Sequence, residues 1–339
     1  MLNHNPADLI DAGHDAVLAA FGVHVTSPHP LAGDLATAPL SRLAYAAGMK
    51  VRPQQGHETD RQVMGRGMQS SDFASLLASA SMTLANRRFD AVAEHRKFCS
   101  VIEAKDFKPT SIGTADGDGE LPEVGDAGTI TQGSVVFGNG ASARLRTFAR
   151  ILRASRTLII NDQAGILADA AAQLGTAGAR TEGREVYAAL EANPTLDDGE
   201  LVFHADHNNL VASALDSTSL GTAMSSLRTM TLIAGNQADL TAAHLVVAAD
   251  LELAARKLVH DSGLEIGVTA TSRLPTGRWY LLPAPDVAPV VGVLKLKGAA
   301  NSIRIEPWAD EFAFDGVVMR GTVDTGAVLV ARTAIKGGA

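Results

Sequence analysis

The 339-residue sequence contains a single cysteine, Cys99, so it can form no internal disulfide and no thiolate-cage zinc site. It also has no basic surplus, since 29 Lys and Arg stand against 37 Asp and Glu. This balance argues against a protein that coats nucleic acid, which must neutralise phosphates. No apolar run reaches the roughly 18 residues that span a bilayer, and the N-terminus lacks the pattern of a secretory leader. We therefore expect a globular protein that assembles in the cytosol, without a membrane.

The motifs of common active sites are also missing. The sequence has neither a Gly-x-Ser-x-Gly elbow nor a phosphate-binding Gly-x-x-x-x-Gly-Lys loop. Gly138–Ala143 matches a dinucleotide fingerprint, but a strand-like segment follows it where that motif requires a helix. Asp116–Glu120 resembles the start of a calcium loop, yet Leu121 occupies the place that needs glycine. The sequence thus predicts no cofactor and no enzyme.

One cluster keeps an enzymatic alternative open. His204, Asp206 and His207 lie within four residues, and imidazole with carboxylate is a common ligand set for a hydrolytic metal. A metal-dependent hydrolase is therefore one hypothesis. The other is that these side chains satisfy backbone groups in a turn. The sequence favours the turn and predicts no metal site.

What the sequence does contain is a series of helices and strands without βαβ alternation, which is typical of the α+β class. Residues 1–70 are predicted to be an extension, partly helical and partly extended, with a mobile tail as the alternative. A helix is predicted from Ser71 to about Phe98. A longer one is predicted from Asn161 to Ala192, with Asn161 or Asp162 as its cap. Its predicted buried stripe consists of Ile166, Ala170, Leu174 and Ala177. Later segments read as strands, including a hairpin of Leu264–Leu274 with Trp279–Leu282 and a final run broken at Asp324–Gly326.

A two-stranded ribbon is predicted before the long helix. Ser134–Gly138 and Ala143–Leu152 form its strands, and the Asn-Gly pair at 139–140 is predicted to be the hairpin turn. An isolated ribbon is marginal in water, so we expect it to lie against a neighbouring subunit. Acidic residues before it and arginines on one face of its second strand would pair across that contact. The candidate contact residues are Asp116, Asp118, Glu120, Glu123, Arg144, Arg146 and Arg150, with Asp126 in the same acidic stretch.

Seven short segments in a fixed order carry a family resemblance. They are Ser71–Leu77, Lys105–Lys108, Leu121–Gly125, Ile159–Asp162, Asp198–Leu210, Arg273–Leu281 and Phe314–Ala327. In this order they resemble the major capsid proteins of tailed phages. The match is best to the subgroup encoded as fusions behind a prohead protease and related to Mu-like head subunits. Residues 1–70 are too short to be that protease. A remnant of the fusion, a scaffold-like segment and an arm kept in the shell are the alternatives.

The resemblance implies a Hong Kong 97-type capsid fold. In that fold residues 1–70 would be an N-terminal extension or arm, 71–109 the N-arm helix region and 110–152 the extended loop. Residues 153–231 would form the peripheral domain with its spine helix, and 232–311 the axial domain. Residues 312–339 would be strands returning to the peripheral domain.

The resemblance also implies function. Copies would self-assemble into pentamers and hexamers of an icosahedral shell that encloses double-stranded DNA without sequence-specific binding. The expected partners are further copies, a portal, a prohead protease, and scaffold or decoration proteins. An encapsulin-type nanocompartment is the alternative with the same fold.

Overall fold

The structure is a computed structural model that describes residues 5–35, 38–117, 135–196, 199–308 and 314–338. Its helices and strands are mixed along the chain, which confirms the α+β class. The chain divides into two compact units. Unit 1 consists of residues 1–93, 147–181 and 299–324, and unit 2 consists of residues 94–146, 182–298 and 325–339. None of the helices in the described ranges is long and apolar enough to cross a membrane.

The helices and strands have the following bounds. The helices are α1 Pro6–Ala20, α2 Pro39–Val51, α3 Asp60–Met68, α4 Ser71–Val92, α5 Arg156–Ile160, α6 Ala164–Ala192, α7 Ser217–Thr229 and α8 Glu252–Asp261. The strands are β1 Cys99–Ala104, β2 Thr110–Gly117, β3 Val135–Ala143, β4 Arg146–Ser155, β5 Leu210–Val211, β6 Ala242–Ala248, β7 Gly267–Thr271, β8 Trp279–Pro283, β9 Val291–Leu296, β10 Arg304–Pro307, β11 Gly316–Leu329 and β12 Ile335–Gly337.

The N-terminal segment folds into the helices α1–α3 of unit 1. Apolar residues at helical spacing bury one face of α1, among them Leu9, Ala12 and Ala16. They belong to one core cluster with residues of α2 and α4 and with Ile305 and Met319 of β10 and β11. The segment is more helical than predicted, and a mobile tail does not describe these helices.

Helix α6 differs from its prediction in its cap and in its buried stripe. Asp162 lies at φ 52° and does not cap α6. Its carboxylate instead accepts the backbone N–H groups of Leu40 and Ser41, at 2.6 and 3.3 Å, and so caps α2. The stripe is shifted along the helix: Leu167 and Ala171 are buried, whereas Ile166 is exposed. The prediction was therefore right for Leu174, which is buried, and wrong for Ile166.

Close packing explains why α6 tolerates glycine. A Cβ added at Gly175 would overlap the carbonyl oxygen of Ala85 in α4. Glycine lowers the intrinsic stability of a helix, so the α4–α6 contact in unit 1 compensates for a weak helix former. The same unit pairs β10 with β11 in antiparallel register, Ile305 opposite Gly321, and pairs β4 with β11.

Unit 2 contains a sheet in the order β5-β12-β8-β6-β7. Strand β6 pairs in parallel with β7 and antiparallel with β8, so Val246 stands opposite both Thr269 and Tyr280. The predicted hairpin of these last two strands was wrong, because β6 lies between them. Trp279 and Tyr280 of β8 are fully buried and anchor the core clusters of this unit.

A second group of strands in unit 2 consists of β1, β9 and the end of β11. Val293 of β9 stands opposite Val101 in parallel β1 and Ala327 in antiparallel β11. Strand β11 is continuous through Asp324–Gly326, where a break was predicted. At this point Gly326 approaches the backbone carbonyl of Arg144. Glycine at 326 therefore allows the backbone of Arg144 to pack against β11, and it does not form a turn.

The ribbon exists, but its strands are β2 and β3. Asn139 and Gly138 lie inside β3, opposite Gly113 and Thr114 of β2, so the predicted hairpin turn was wrong. A Cβ at Gly113 would lie only 2.9 Å from the Gly138 carbonyl oxygen, which shows why glycine occurs at this pairing. The segment that joins the two strands, residues 118–134, lies outside the described residues.

Candidate subunit-contact site

The base of the ribbon is supported by its own subunit. Ile112, Ala141 and Ala143 pack against a buried cluster of unit 2 that includes Leu145 and Leu294. The strand alternation therefore turns these side chains inward near the start of β2 and the end of β3.

The distal part of the ribbon carries an exposed apolar face. Phe137 and Val135 lie two positions apart in the strand and so share one face of β3. Their exposed fractions are 79% and 57%. Ala115 stands directly opposite Phe137 in the ladder and is exposed as well. Val136, which is also exposed, points to the other face. A phenylalanine this exposed is typical of a side chain that is covered by a partner.

The predicted arginines do not act as one group. Arg144 and Arg150 are exposed and form no ion pair with the described residues. Arg146 instead forms an ion pair with the buried carboxylate of Glu185, which Arg184 also contacts at 3.0 Å. Arg146 therefore pairs within its own subunit, and that it also contacts another copy stays a prediction.

The predicted acidic partners lie mostly beyond what the structure describes. The backbone of Asp116 belongs to β2 and stands opposite Val136. Asp118, Glu120, Glu123 and Asp126 fall in residues 118–134, outside the described ranges. Their pairing with arginines stays a prediction.

The histidine cluster of unit 2 does not bring together the three residues of the hydrolase alternative, His204, Asp206 and His207. His207 turns its Nδ1 to the carbonyl oxygen of Val202, at 3.0 Å, and is held there. The group of possible ligands is instead Glu200, His204 and Asp206. Glu200 faces Nε2 of His204 at 3.3 Å, whereas Asp206 faces Nδ1 at 3.5 Å. One ligand atom from each of these three residues lies within 4.8 Å of the others, and the two carboxylates face different ring nitrogens of His204.

Residues 202–209, which contain the histidine cluster, form a turn that side-chain hydrogen bonds hold in place. The buried side chain of Asn209 donates to Val202 O at 2.7 Å and accepts the N–H of His204 at 2.9 Å. The side chain of Asn193 forms two hydrogen bonds with the backbone of Phe203: it donates to the carbonyl oxygen at 3.1 Å and accepts from the N–H group at 2.7 Å. These side-chain bonds satisfy backbone N–H and C=O groups that strand pairing would otherwise satisfy. The interpretation of the cluster as a turn that satisfies backbone groups is therefore confirmed.

Residues 140–336, more than half of the chain, match the profile of a family described as phage capsid protein. The chain belongs to this phage capsid family. The match includes Ala141 and Ala143 at the base of the ribbon, the three arginines and the turn at residues 202–209. Membership makes the capsid protein a component of a virion shell and indicates a structural, non-enzymatic role.

Solved structures with similarity to the capsid protein include the capsid of cyanophage P-SCSP1u, at 14% identity and a TM-score of 0.46, covering 72% of this chain and 88% of that one. A phage-related protein of Bordetella bronchiseptica has 13% identity and a TM-score of 0.47, covering 75% and 95%. The SrpI encapsulin complex of Synechococcus elongatus has 10% identity and a TM-score of 0.48, covering 72% and 86%. A search of curated proteins found no relative.

A buried ion cluster of the capsid protein was missed by the sequence reasoning. Glu182 of α6 accepts from Nε2 of buried His95 at 2.9 Å and from Arg96 at 2.7 and 2.9 Å. Burial raises the pKa of Glu182, but the bonds from His95 and Arg96 outweigh it and leave the pKa below its usual range. No local pattern could have predicted this, since the partners are more than 80 residues apart. The cluster fixes α6 to the turn before β1 within unit 2.

Proposed function

We propose that the capsid protein is the major head subunit of a tailed phage. Copies would close into pentamers and hexamers of an icosahedral shell around double-stranded DNA, assembled in the host cytoplasm. Family membership supports this role. The formal charge of −8 suits a wall that confines DNA without gripping its phosphates. A portal, a prohead protease, and scaffold or decoration proteins are the further partners we propose.

The proposed organisation is that of the Hong Kong 97 type. The β2–β3 ribbon would be the extended loop within residues 110–152. The 29-residue helix α6 would be the spine of a peripheral domain that spans 153–231. Residues 232–311 would form the axial domain, and 312–339 would return to the peripheral domain. The order of these elements along the chain supports the assignment.

The observation that carries the proposed contact is the exposure of Phe137. Aromatic side chains that enter a pocket of the partner dominate many protein interfaces. Burying a phenylalanine contributes roughly 1.5–3 kcal/mol, and a closed ring would contain one such contact per subunit. We therefore propose that Phe137, with Val135 and Ala115, docks on the next copy. Arg144 and Arg150 would add specificity at the rim more than affinity.

Replacing Phe137 by Ser tests this contact. The variant subunit should fold with an unchanged melting temperature, because the side chain is exposed, but should form few or no shells in negative-stain electron microscopy. Val136→Ser is the matched control, since it removes an exposed apolar side chain from the other face of the same strand. Normal shells from Phe137→Ser would contradict the contact. Size-exclusion mass analysis on the same samples would detect isolated rings.

The content of the shells separates the phage head from an encapsulin-type compartment. Shells made in the native host should contain DNA. A specific protein cargo with no DNA would favour the compartment. Stoichiometric metal that is lost on His204→Ala, in a protein that forms no shells, would favour the hydrolase.

A further inference from the structure

The helices α1–α3 lie before residue 140, where the family match begins. We infer that these helices are a permanent part of the subunit and remain in every copy of the assembled shell. The inference rests on the proposed shell function. It concerns unit 1 alone, where all of the contacts below are found.

The first support is a shared apolar core. Gly13 of α1 lies so close to Leu43 of α2 and Leu76 of α4 that an added Cβ would overlap both side chains. The buried residues of α1 and α2 belong to one cluster with Ile305 and Met319, which come from the other end of the chain. Removing α1–α3 would therefore expose apolar faces of α4 and of the strands β10 and β11. Such a surface promotes aggregation.

The second support is a set of polar and backbone contacts that a detachable segment would not need. Asp162, from the turn between α5 and α6, caps the N-terminus of α2. Arg66 of α3 donates to the carbonyl oxygens of Gly48 and Arg52, at 3.1 and 2.6 Å, and so caps the C-terminus of α2. Gly67 of α3 approaches the Ala44 carbonyl so closely that no Cβ would fit.

The third support is the lack of a linker at the α3–α4 boundary, where both helices lie within described residues. Only Gln69 and Ser70 separate them. The Ser70 hydroxyl donates to Gly67 O at 2.6 Å and accepts the N–H of Phe73 at 3.3 Å, which ties the end of α3 to the start of α4. Proteases cut exposed, extended segments, and this boundary offers none. The loop of residues 52–59 is more exposed, but a cut there would leave α1 and α2 bound.

Intact-mass spectrometry of subunits from purified shells is the first test. The expected subunit has a mass that includes α1–α3, and peptides from Pro6–Ala20 are recovered from the shells. Subunits that begin near residue 70 would overturn the inference.

A second test does not need shells, so it distinguishes failure of this inference from failure of the proposed function. A protease recognition site inserted at Gly56, where the surroundings are open, allows the soluble subunit to be cut between α2 and α3. The two fragments should co-elute in size exclusion and separate only in denaturant, while the uncut variant gives the reference elution. Fragments that separate in native buffer, leaving a folded remainder from residue 57 onward, would show that α1 and α2 are dispensable.

Discussion

Reversing the charge of Arg146 should destabilise the subunit, whereas reversing Arg144 should not. Arg146 is 53% exposed, but its partner Glu185 is only 8% exposed. Breaking a buried pair costs about 3–5 kcal/mol. The exposure of Arg146 and the remaining Arg184–Glu185 contact reduce that cost, while the new carboxylate beside Glu185 adds repulsion. We expect Arg146→Glu to lower the free energy of unfolding by about 2 kcal/mol.

Urea denaturation followed by the emission of Trp279, which is fully buried in the same unit, measures this difference. With a slope of about 3 kcal/mol per M, the midpoint of Arg146→Glu should fall by roughly 0.7 M. Arg144→Glu is the matched control, and its free energy of unfolding should change by no more than about 0.5 kcal/mol. Equal midpoints for the two variants would refute the reasoning. If Arg144→Glu folds normally and assembles poorly, Arg144 acts between copies.

Three further predictions test other parts of the structure. Gly67→Ala should cost at least about 2 kcal/mol, because its Cβ overlaps backbone, whereas Gly65→Ala, in open space on the same helix, should be neutral or stabilising by thermal unfolding. Asp162→Ala should lower the free energy of unfolding by about 1 kcal/mol in the same assay, because the cap of α2 is lost, whereas Asp162→Asn should keep most of this stabilisation. Equal losses in the two variants would show that Asp162 does not cap α2. Burial lowers the pKa of His244 below 6.5. The contribution of the neutral side chain to the free energy of unfolding is therefore fully present above pH 6.5 and is lost as the pH falls through the folded-state pKa. Urea midpoints at about pH 7.5 and about pH 5.5 should differ less for His244→Gln than for the parent.

Local sequence patterns predicted which helices and strands form better than they predicted which strands pair. Helical spacing correctly placed the start of α4 at Ser71, and alternation predicted strands around Phe137 and Trp279. Alternation shows which side chains share a face, but it does not name the neighbouring strand. For that reason the Asn-Gly pair of β3 and the pairing of β8 were misassigned: β2 and β6 supply the partners from elsewhere in the chain.

The site shows the same limit. The sequence correctly predicted the turn around His204, because its hydrogen bonds join residues close in the chain. It also predicted that a ribbon exists, but it paired the wrong strands, because β2 lies before the joining segment. It could not predict that Arg146 faces Glu185, which lies 39 residues later, since both belong to separately predicted elements. Asp162 has the chemistry of a helix cap, as predicted, but the helix it caps begins more than 120 residues earlier. The sequence did not indicate the exposed face of Phe137, because alternation along a strand does not show which face other elements of the subunit cover.

The polypeptide passes between the two compact units after Ala93, Arg146, Thr181, Gly298 and Asp324. Neither unit can therefore be produced as a continuous stretch of gene, and no single recombination event could exchange one of them for a homologous copy. A single crossover at any of these five positions would leave at least one unit with segments from two parents, and only exchange of the whole gene takes both units from one parent.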